Sequence, residues 1–334
     1  MTGGVYDDGP LCHHATFFYY QEDTWMETLN REMICYKTDD EWLELRKQDI
    51  TSTELASLFE KSPYMSYYEL WHRKHNPKLA VPFEENQRMK VGRKMEPVIA
   101  EILAEKYGWT IEPFKVYMRI PELRLGSSFD YLITAPFRAL LEIKSVDWLQ
   151  FMDHWTKDGE NVEAPLHIEF QNQGELLCSG EEQIITGAWI GGNKDEKFTR
   201  LPDYQVWDAI IENSKKFWDS IKAHQEPPVD FKRDAEFIKT LYPYAETGKV
   251  MKATPTIESL ALKYKITHDA LKALETDKDA IKAEMLTLVG DAEKVKGETF
   301  SISAGLVGPA HVEYDRTGYR NFKISFKKEK KDAD

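Results

Sequence analysis

From residue 39 onward the apolar positions fall into readable periods, and the period changes along the chain. Asp39 or Asp40 stands where a helix cap is expected, ahead of Trp42, Leu43 and Leu45. Residues 49–54 offer a second cap, before a helix through Leu55, Leu58 and Phe59 that ends short of Pro63. Residues 67–71 read as a further turn or two of helix. Val91, Met95, Val98, Ile99, Ile102 and Leu103 then recur at near-helical spacing, with Gly108 as the stop.

The texture next switches to strands, at 109–120, 125–133 and 139–146, the last two flanking a turn at Ala135 and Pro136. A loop holding Lys157, Asp158 and Gly159 leads to a helix over 166–179 and a strand over 183–190 that ends at Gly191 and Gly192. A strongly patterned helix over 204–224 stops at Pro227 and Pro228. Helix, antiparallel strands, helix, strand, helix predicts an α/β fold with a central mixed sheet flanked by helices. Beyond Pro228, residues 257–288 are rich in Lys, Ala, Glu and Leu, with apolar side chains at 260, 264, 271, 274, 281 and 288. That spacing suits one long helix or a helical pair, an appendage or an oligomer contact. Strand-like stretches at 298–303 and 319–326 precede a charged tail expected to fray. The division expected is an N-terminal extension (1–40), a core (41–230), and a helical and β-hairpin C-terminal region (231–334). The extension is irregular and aromatic-rich. Its neighbouring His13 and His14 do not face one way on a helix or strand, so loop positions are expected for them.

Composition narrows this picture. With 42% hydrophobic and 30% charged residues, the 334-residue chain has ordinary globular content and enough apolar material for a sizeable core. Cys12, Cys35 and Cys178 share no metal-ligand spacing, which predicts unlinked thiols in a reducing compartment. No basic-then-apolar leader is visible, and no apolar run approaches the ~18 residues of a membrane span, so a soluble cytoplasmic protein is expected. A net charge of −13 argues against a uniformly basic nucleic-acid binder. Any such partner would need a locally positive groove, with binding that weakens as salt is added.

The candidate chemistry lies in the hairpin. On a strand, residues two apart share a face, so Glu142 and Lys144 project together while Leu141 and Ile143 turn to the core. A hairpin symmetric about Pro136 sets Asp130 opposite Glu142, where Cβ atoms come within ~4.5–5.5 Å. Two carboxylates so placed repel each other unless a cation bridges them, and oxygen-only donors favour Mg²⁺ or Mn²⁺. Lys144 could orient a metal-bound water, take its proton, or stabilise charge growing on a phosphate. By itself D-x(n)-E-x-K also occurs in hairpins without catalysis. No G-x-S-x-G nucleophile is present.

Around this hairpin the chain resembles the lambda-exonuclease and YqaJ-like viral recombinase family, within the PD-(D/E)XK nucleases. The matching words are Ile50 to Leu55, Ser62 with Pro63 and Tyr64, Tyr68 to Trp71, and Gly92 to Pro97 as G-x-x-x-E-P. They continue with the aspartate and E-x-K strands, Gln171 and Gln173 as Q-x-Q, and a closing word at 319–324. The resemblance implies a restriction-endonuclease-like core and metal-dependent DNA exonuclease activity, 5′→3′ on double-stranded ends. It implies Glu96, Asp130, Glu142 and the Ile143 carbonyl as metal ligands, with Gln171 beside the attacking water. Arg46 and Thr53 are similar to the residues that grip the 5′-phosphate, an anion site also sound on first principles. A single-strand annealing protein and a trimeric ring are the implied partners, in a phage-infected or prophage-bearing cell. A structure-specific endonuclease or an inactive DNA-binding relative are the alternatives. A Cas4-like nuclease would need four cysteines for its cluster. Arg88, Lys90, Arg93 and Lys94 form a positive stripe, a solvated face or a phosphate contact. Trp148 and Phe151 are candidates to touch a DNA end.

Overall fold

The computed structural model describes residues 29–76, 87–158, 161–313 and 324. Thr38, rather than Asp39 or Asp40, caps the first helix, α1 (Asp39–Gln48), by accepting from the Glu41 amide. The two aspartates and Glu41 become its acidic first turn, a favourable place for negative charge against the helix dipole. β2 (Ile50–Thr51), a 3-10 turn (Ser52–Glu54) and α2 (Leu55–Leu58) follow. Glu54 accepts from the Thr51 amide at 2.9 Å, the carboxylate half of a capping box. Ser66 caps α3 (Tyr67–His75).

α4 (Gln87–Tyr107) is longer than its apolar pattern suggests. Pro97 lies in its interior rather than its first turn, where it removes one helical hydrogen bond. Ile99, Ala100 and Leu103 are its buried residues, and Met95 packs partly against the same cluster. Val91, Val98 and Ile102 stay exposed, since only one stripe of a helix can face a sheet. Gly108, at φ +68°, ends the helix as expected.

Two of the expected strands each break in two. Residues 109–120 form β3 (Thr110–Pro113) and β4 (Val116–Ile120); residues 125–133 fall in β5 (Leu125–Ser128) and β6 (Tyr131–Ala135). In both cases the halves enter different sheets. With β1 (Glu32–Cys35), the first sheet runs β1-β4-β5-β2. With β7 (Ala139–Val146), β10 (Ile184–Ile190) and β11 (Lys194–Arg200), the second runs β11-β10-β7-β6-β3. β10 is parallel to β7 while the other pairs of that sheet are antiparallel, so the sheet is mixed. α6 (Leu166–Ser179) and α7 (Tyr204–Lys222) complete the expected α/β arrangement of mixed sheets flanked by helices. α5 (Trp148–His154) and a short hairpin of β8 (Thr156–Asp158) and β9 (Asn161–Glu163) stand where a loop was expected.

β7 is covered on both sides. Ala139, Leu141 and Ile143 share a cluster with Ile99, Ala100 and Leu103 of α4. Leu140 belongs to the larger cluster with Leu176 and Leu177 of α6 and Ile210 and Phe217 of α7. Even-numbered residues of β7 therefore look toward α6. α4 lies close to the sheet because β10 carries Gly187 beneath it; a Cβ there would collide with Leu103 Cδ1.

The chain divides into two compact units, one ending at Leu241 and one beginning at Tyr242. The first reaches past both boundaries expected for the core: β1 pairs with β4, and Phe237 of α8 (Ala235–Leu241) packs against Tyr68 and His72. The second holds α9 (Pro255–Val289) and a hairpin of β12 (Lys294–Lys296) and β13 (Ser301–Ser303). His13, His14 and residues 319–323 lie outside the described residues. Cys178 is a buried free thiol, but Cys35 is disulfide-bonded, so the expectation of three unlinked thiols fails there. Among the described residues no helix is long and apolar enough to cross a membrane.

The Leu103–Gly187 contact sets a stability test. Leu103→Ala is expected to cost about 2–5 kcal/mol in urea unfolding, because it opens a cavity at a fully buried position. Gly187→Ala should also destabilise, and the double variant should lose less than the two losses added, since the smaller side chain at 103 makes room for the new methyl. Strict additivity would contradict the contact.

Candidate active site

Asp130 sits in the bend between β5 and β6, where the chain passes from one sheet to the other. The β6–β7 ladder pairs Tyr131 with Leu141 and Leu132 with Leu140. One step further sets Asp130 opposite Glu142, the register that symmetry about Pro136 predicts. Asp130 Oδ2 accepts from the Ile143 amide at 2.9 Å. On the face toward α6, Lys144 Nζ donates to Glu142 Oε1 at 2.7 Å and to Gln171 Oε1 at 2.9 Å. Gln171 Nε2 donates to Glu142 Oε1 at 2.7 Å and to Glu175 Oε1 at 2.8 Å. Glu142, Gln171 and Glu175 are all buried.

α6 is locked beside this network by its neighbours in sequence. Asn172 Oδ1 accepts from Thr186 Oγ1 at 3.0 Å, and Thr186 is the residue of β10 in register with Glu142. Gln173 turns the other way, donating to the Leu201 carbonyl and accepting from the Asp203 amide, each at 2.9 Å. The two glutamines of Q-x-Q thus differ in role: Gln171 joins the charged network and Gln173 fastens the entry to α7. At Gly174 a Cβ would meet Leu55 Cδ1 and lie 3.2 Å from Ser52 Cα, so α2 and its preceding turn rest directly on α6.

Glu175 was not among the sequence candidates, although it stands one helical turn from Gln171 and so on the same face. Burial, then the charge of Glu142, holds its carboxyl well above the usual range. Burial, then Glu142 and Glu96, does the same to Asp130. For Lys144, burial acts to lower the pKa, but the charge and hydrogen bond of Glu142, with Asp130 and Glu175, outweigh it and raise it. His167, also absent from the sequence candidates, is pushed down to about 4 by burial and then by the charge of Lys144. Glu96 comes from α4, which packs the opposite side of β7. Burial raises it, Lys115 at 4.0 Å opposes that, and Glu142 raises it further.

Residues 41–182 match the model of the YqaJ-like viral recombinase domain. The matched segment is less than half of the chain. A DNA nuclease of the lambda-exonuclease type is the activity class that this domain supports. Similar solved structures include an alkaline exonuclease, LHK-Exo from Laribacter hongkongensis, at 17% identity and TM-score 0.44, over 60% of this chain and 99% of that one. LHK-Exo in complex with dAMP gives 17% identity and TM-score 0.45 over the same shares. SSO0001 gives 13% identity and TM-score 0.35, over 64% of this chain and 98% of that one. Comparison with curated proteins gave no match.

Every candidate site residue lies inside the matched YqaJ-like segment. Among the described residues, no group of three or more His, Cys, Asp or Glu side chains is gathered as a metal cage. Mg²⁺ does not require one, since it is commonly bound through one or two carboxylates, with waters and substrate oxygens completing its shell. Asp130, at the entrance to β6, and Glu142 of β7 supply two oxygen donors, and their raised or buried state marks excess negative charge that a cation would neutralise. The donor chemistry fits. Glu96 stands apart from the hydrogen-bonded network.

Arg46 and Thr53, both in the matched segment, do meet. Arg46 Nη2 donates to Thr53 Oγ1 at 3.1 Å, and its guanidinium lies 4.7 Å from the centre of the Trp42 ring. Glu54 beside them is held below its ordinary range: burial acts to raise it, but Lys74 and Arg46 outweigh that. Phe151 is fully buried in a core cluster, so it cannot stack on a DNA end; Trp148 remains exposed. In the positive stripe Arg88 pairs with Asp147, the cap of α5, while Lys90 and Lys94 are exposed.

Divalent cation should stabilise this domain. A cation at about 100 times its Kd adds roughly 2.7 kcal/mol, which calorimetry with Mg²⁺ against EDTA would read as a higher Tm. A raised carboxyl favours the metal-free fold below the unfolded-chain pKa and disfavours it as pH rises through the folded value. Cation binding must displace that proton, so the Mg²⁺ shift should grow from pH 5.5 to pH 8. Asp130→Asn should abolish it; an undiminished shift would remove Asp130 from the ligand set.

Proposed function

We propose that the chain is a magnesium-dependent exonuclease acting 5′→3′ on the ends of double-stranded DNA, on a restriction-endonuclease-like core. The supporting observation is the Lys144–Glu142–Gln171–Glu175 network beside Asp130, inside a YqaJ-like domain. Asp130, Glu142 and the Ile143 carbonyl would hold Mg²⁺, with Mn²⁺ as a substitute and Glu96 as a more distant acid on the same field. The bound cation supplies a polarised phosphodiester oxygen and a water of lowered pKa. Lys144, kept charged by its carboxylate neighbours, stabilises negative charge growing on the phosphate rather than accepting a proton. Gln171 commits both amide hydrogens to Glu142 and Glu175, while Oε1 keeps a second lone pair for a water beside the one Lys144 uses. Arg46 and Thr53 would grip the 5′-phosphate, and Trp148 would meet the terminal base pair.

The setting that this reading implies is phage-type recombination in the bacterial cytoplasm, with the resected strand passed to a single-strand annealing protein. The acidic chain would hold DNA through a local positive groove that includes Lys115, Lys144 and the α4 lysines.

Digestion of linear and circular duplexes with Mg²⁺ tests the function. The linear form should be degraded and the circle spared; cutting of the circle would instead indicate an endonuclease. Lys144→Ala should lower kcat by about 100-fold or more, as loss of a charge-stabilising group does, and Asp130→Ala should leave no turnover. Arg46→Ala should reduce the preference for 5′-phosphorylated over 5′-hydroxyl ends by roughly tenfold, the worth of one charged hydrogen bond. An unchanged preference would dismiss that phosphate site. DNA affinity should fall with added salt.

A further inference from the structure

α9 is a 35-residue helix with no buried residue. An isolated helix of polar surface would need no partner, but this one carries a continuous apolar seam. Ile257, Leu260, Tyr264, Thr267, Leu271, Leu274, Lys278, Ile281, Met285 and Leu288 follow one another at alternating steps of three and four. That is a heptad repeat in which Thr267 and Lys278 are the polar interruptions. The apolar members of the line are all exposed, Leu274 at 65% and Leu288 at 83%. Leu262, Ile266 and Leu286 lie off it.

We propose that α9 pairs with α9 of a second copy of this chain as an antiparallel two-stranded coiled coil. The direction follows from the interruptions. In a parallel pair in register, Lys278 would face Lys278 of the second copy inside the seam, two like charges taken out of water. In an antiparallel pair with full overlap, Thr267 faces Lys278 of the second copy, and the two polar positions satisfy each other. The Thr267 hydroxyl donates to the Lys263 carbonyl at 3.0 Å, which leaves its oxygen able to accept from an ammonium. The other layers are then wholly apolar: Ile257 with Leu288, Leu260 with Met285, Tyr264 with Ile281, and Leu271 with Leu274 of the second copy.

Charges flanking the seam agree with the same register. Lys263 comes beside Glu284 of the second copy, and His268 beside Glu275 of the second copy, each twice by symmetry. No like-charged pair meets at these flanking positions, and such pairs are what select partner and orientation in coiled coils. The overlap runs about 52 Å, the length of 35 helical residues. This dimer is independent of the reading of the active site.

Sedimentation of the full chain tests it. All nine tryptophans lie at or before Trp218, so their emission follows the first unit and reports whether it stays folded in every variant. A dimer at micromolar concentration is expected, and Leu271→Glu should make it a monomer with unchanged tryptophan emission. Lys263→Glu should weaken the dimer roughly tenfold, since it turns two attractive pairs repulsive. Adding Glu284→Lys to Lys263→Glu should restore it. A wild-type monomer, a trimer, or a dimer indifferent to Leu271→Glu would overturn the proposal. A dimer lost with Leu271→Glu but indifferent to Lys263→Glu would overturn the antiparallel register.

Discussion

The amide of Gln171 is the contact on which the rest of the candidate site depends. It lies between two buried acids and the half-buried ammonium of Lys144, donating to Glu142 and Glu175 and accepting from Lys144. A glutamate of the same length would add a further negative charge, and a methionine would take from Glu142 one of its two donors and from Glu175 the one described here, the loss at Glu175 costing roughly 1–3 kcal/mol. A neutral group that both donates and accepts is what lets charges of both signs share one dry space. The sheet and α6 serve this contact: Asn172 ties the helix to the strand next to Glu142, and Gly174 lets α2 brace it from the other side.

The sequence pattern was most informative where one physical rule acted alone. The face-sharing of Glu142 and Lys144 and the register with Asp130 follow from strand geometry, and both are present. It was least informative where neighbours decide. β11 (Lys194–Arg200) is almost wholly polar, with Phe198 its only buried residue, so an edge strand left no apolar signal. β1 is four residues long and is a strand because β4 offers it a partner. The breaks at residues 114–115 and 129–130 could not be read, because only the sheet that each half joins distinguishes the two.

Side chains with chemical roles divide in the same way. Glu175 looks like any acid on a helix until the sheet closes over it, and Phe151 looks like an exposed aromatic until the core takes it. Gln171 and Gln173 are equivalent as letters. Their roles separate because a strand lies on one side of α6 and the start of α7 on the other. The second unit reverses the situation: its helix has no buried residue, so its pattern carries most of what there is to read.

The bend at Asp130 has one more consequence, for where this chain can tolerate a change of length. Only Phe129 and Asp130 separate the β4–β5 ladder from the β6–β7 ladder. Side chains alternate faces with a period of two, so adding or removing one residue there would turn Asp130 away from Glu142 or drag a whole strand out of register. The connection from β7 to α6 carries no such constraint, because a helix and a hairpin already fill it. Variation in length should therefore collect after Val146 and be absent at the joint, where spacing itself is the functional element.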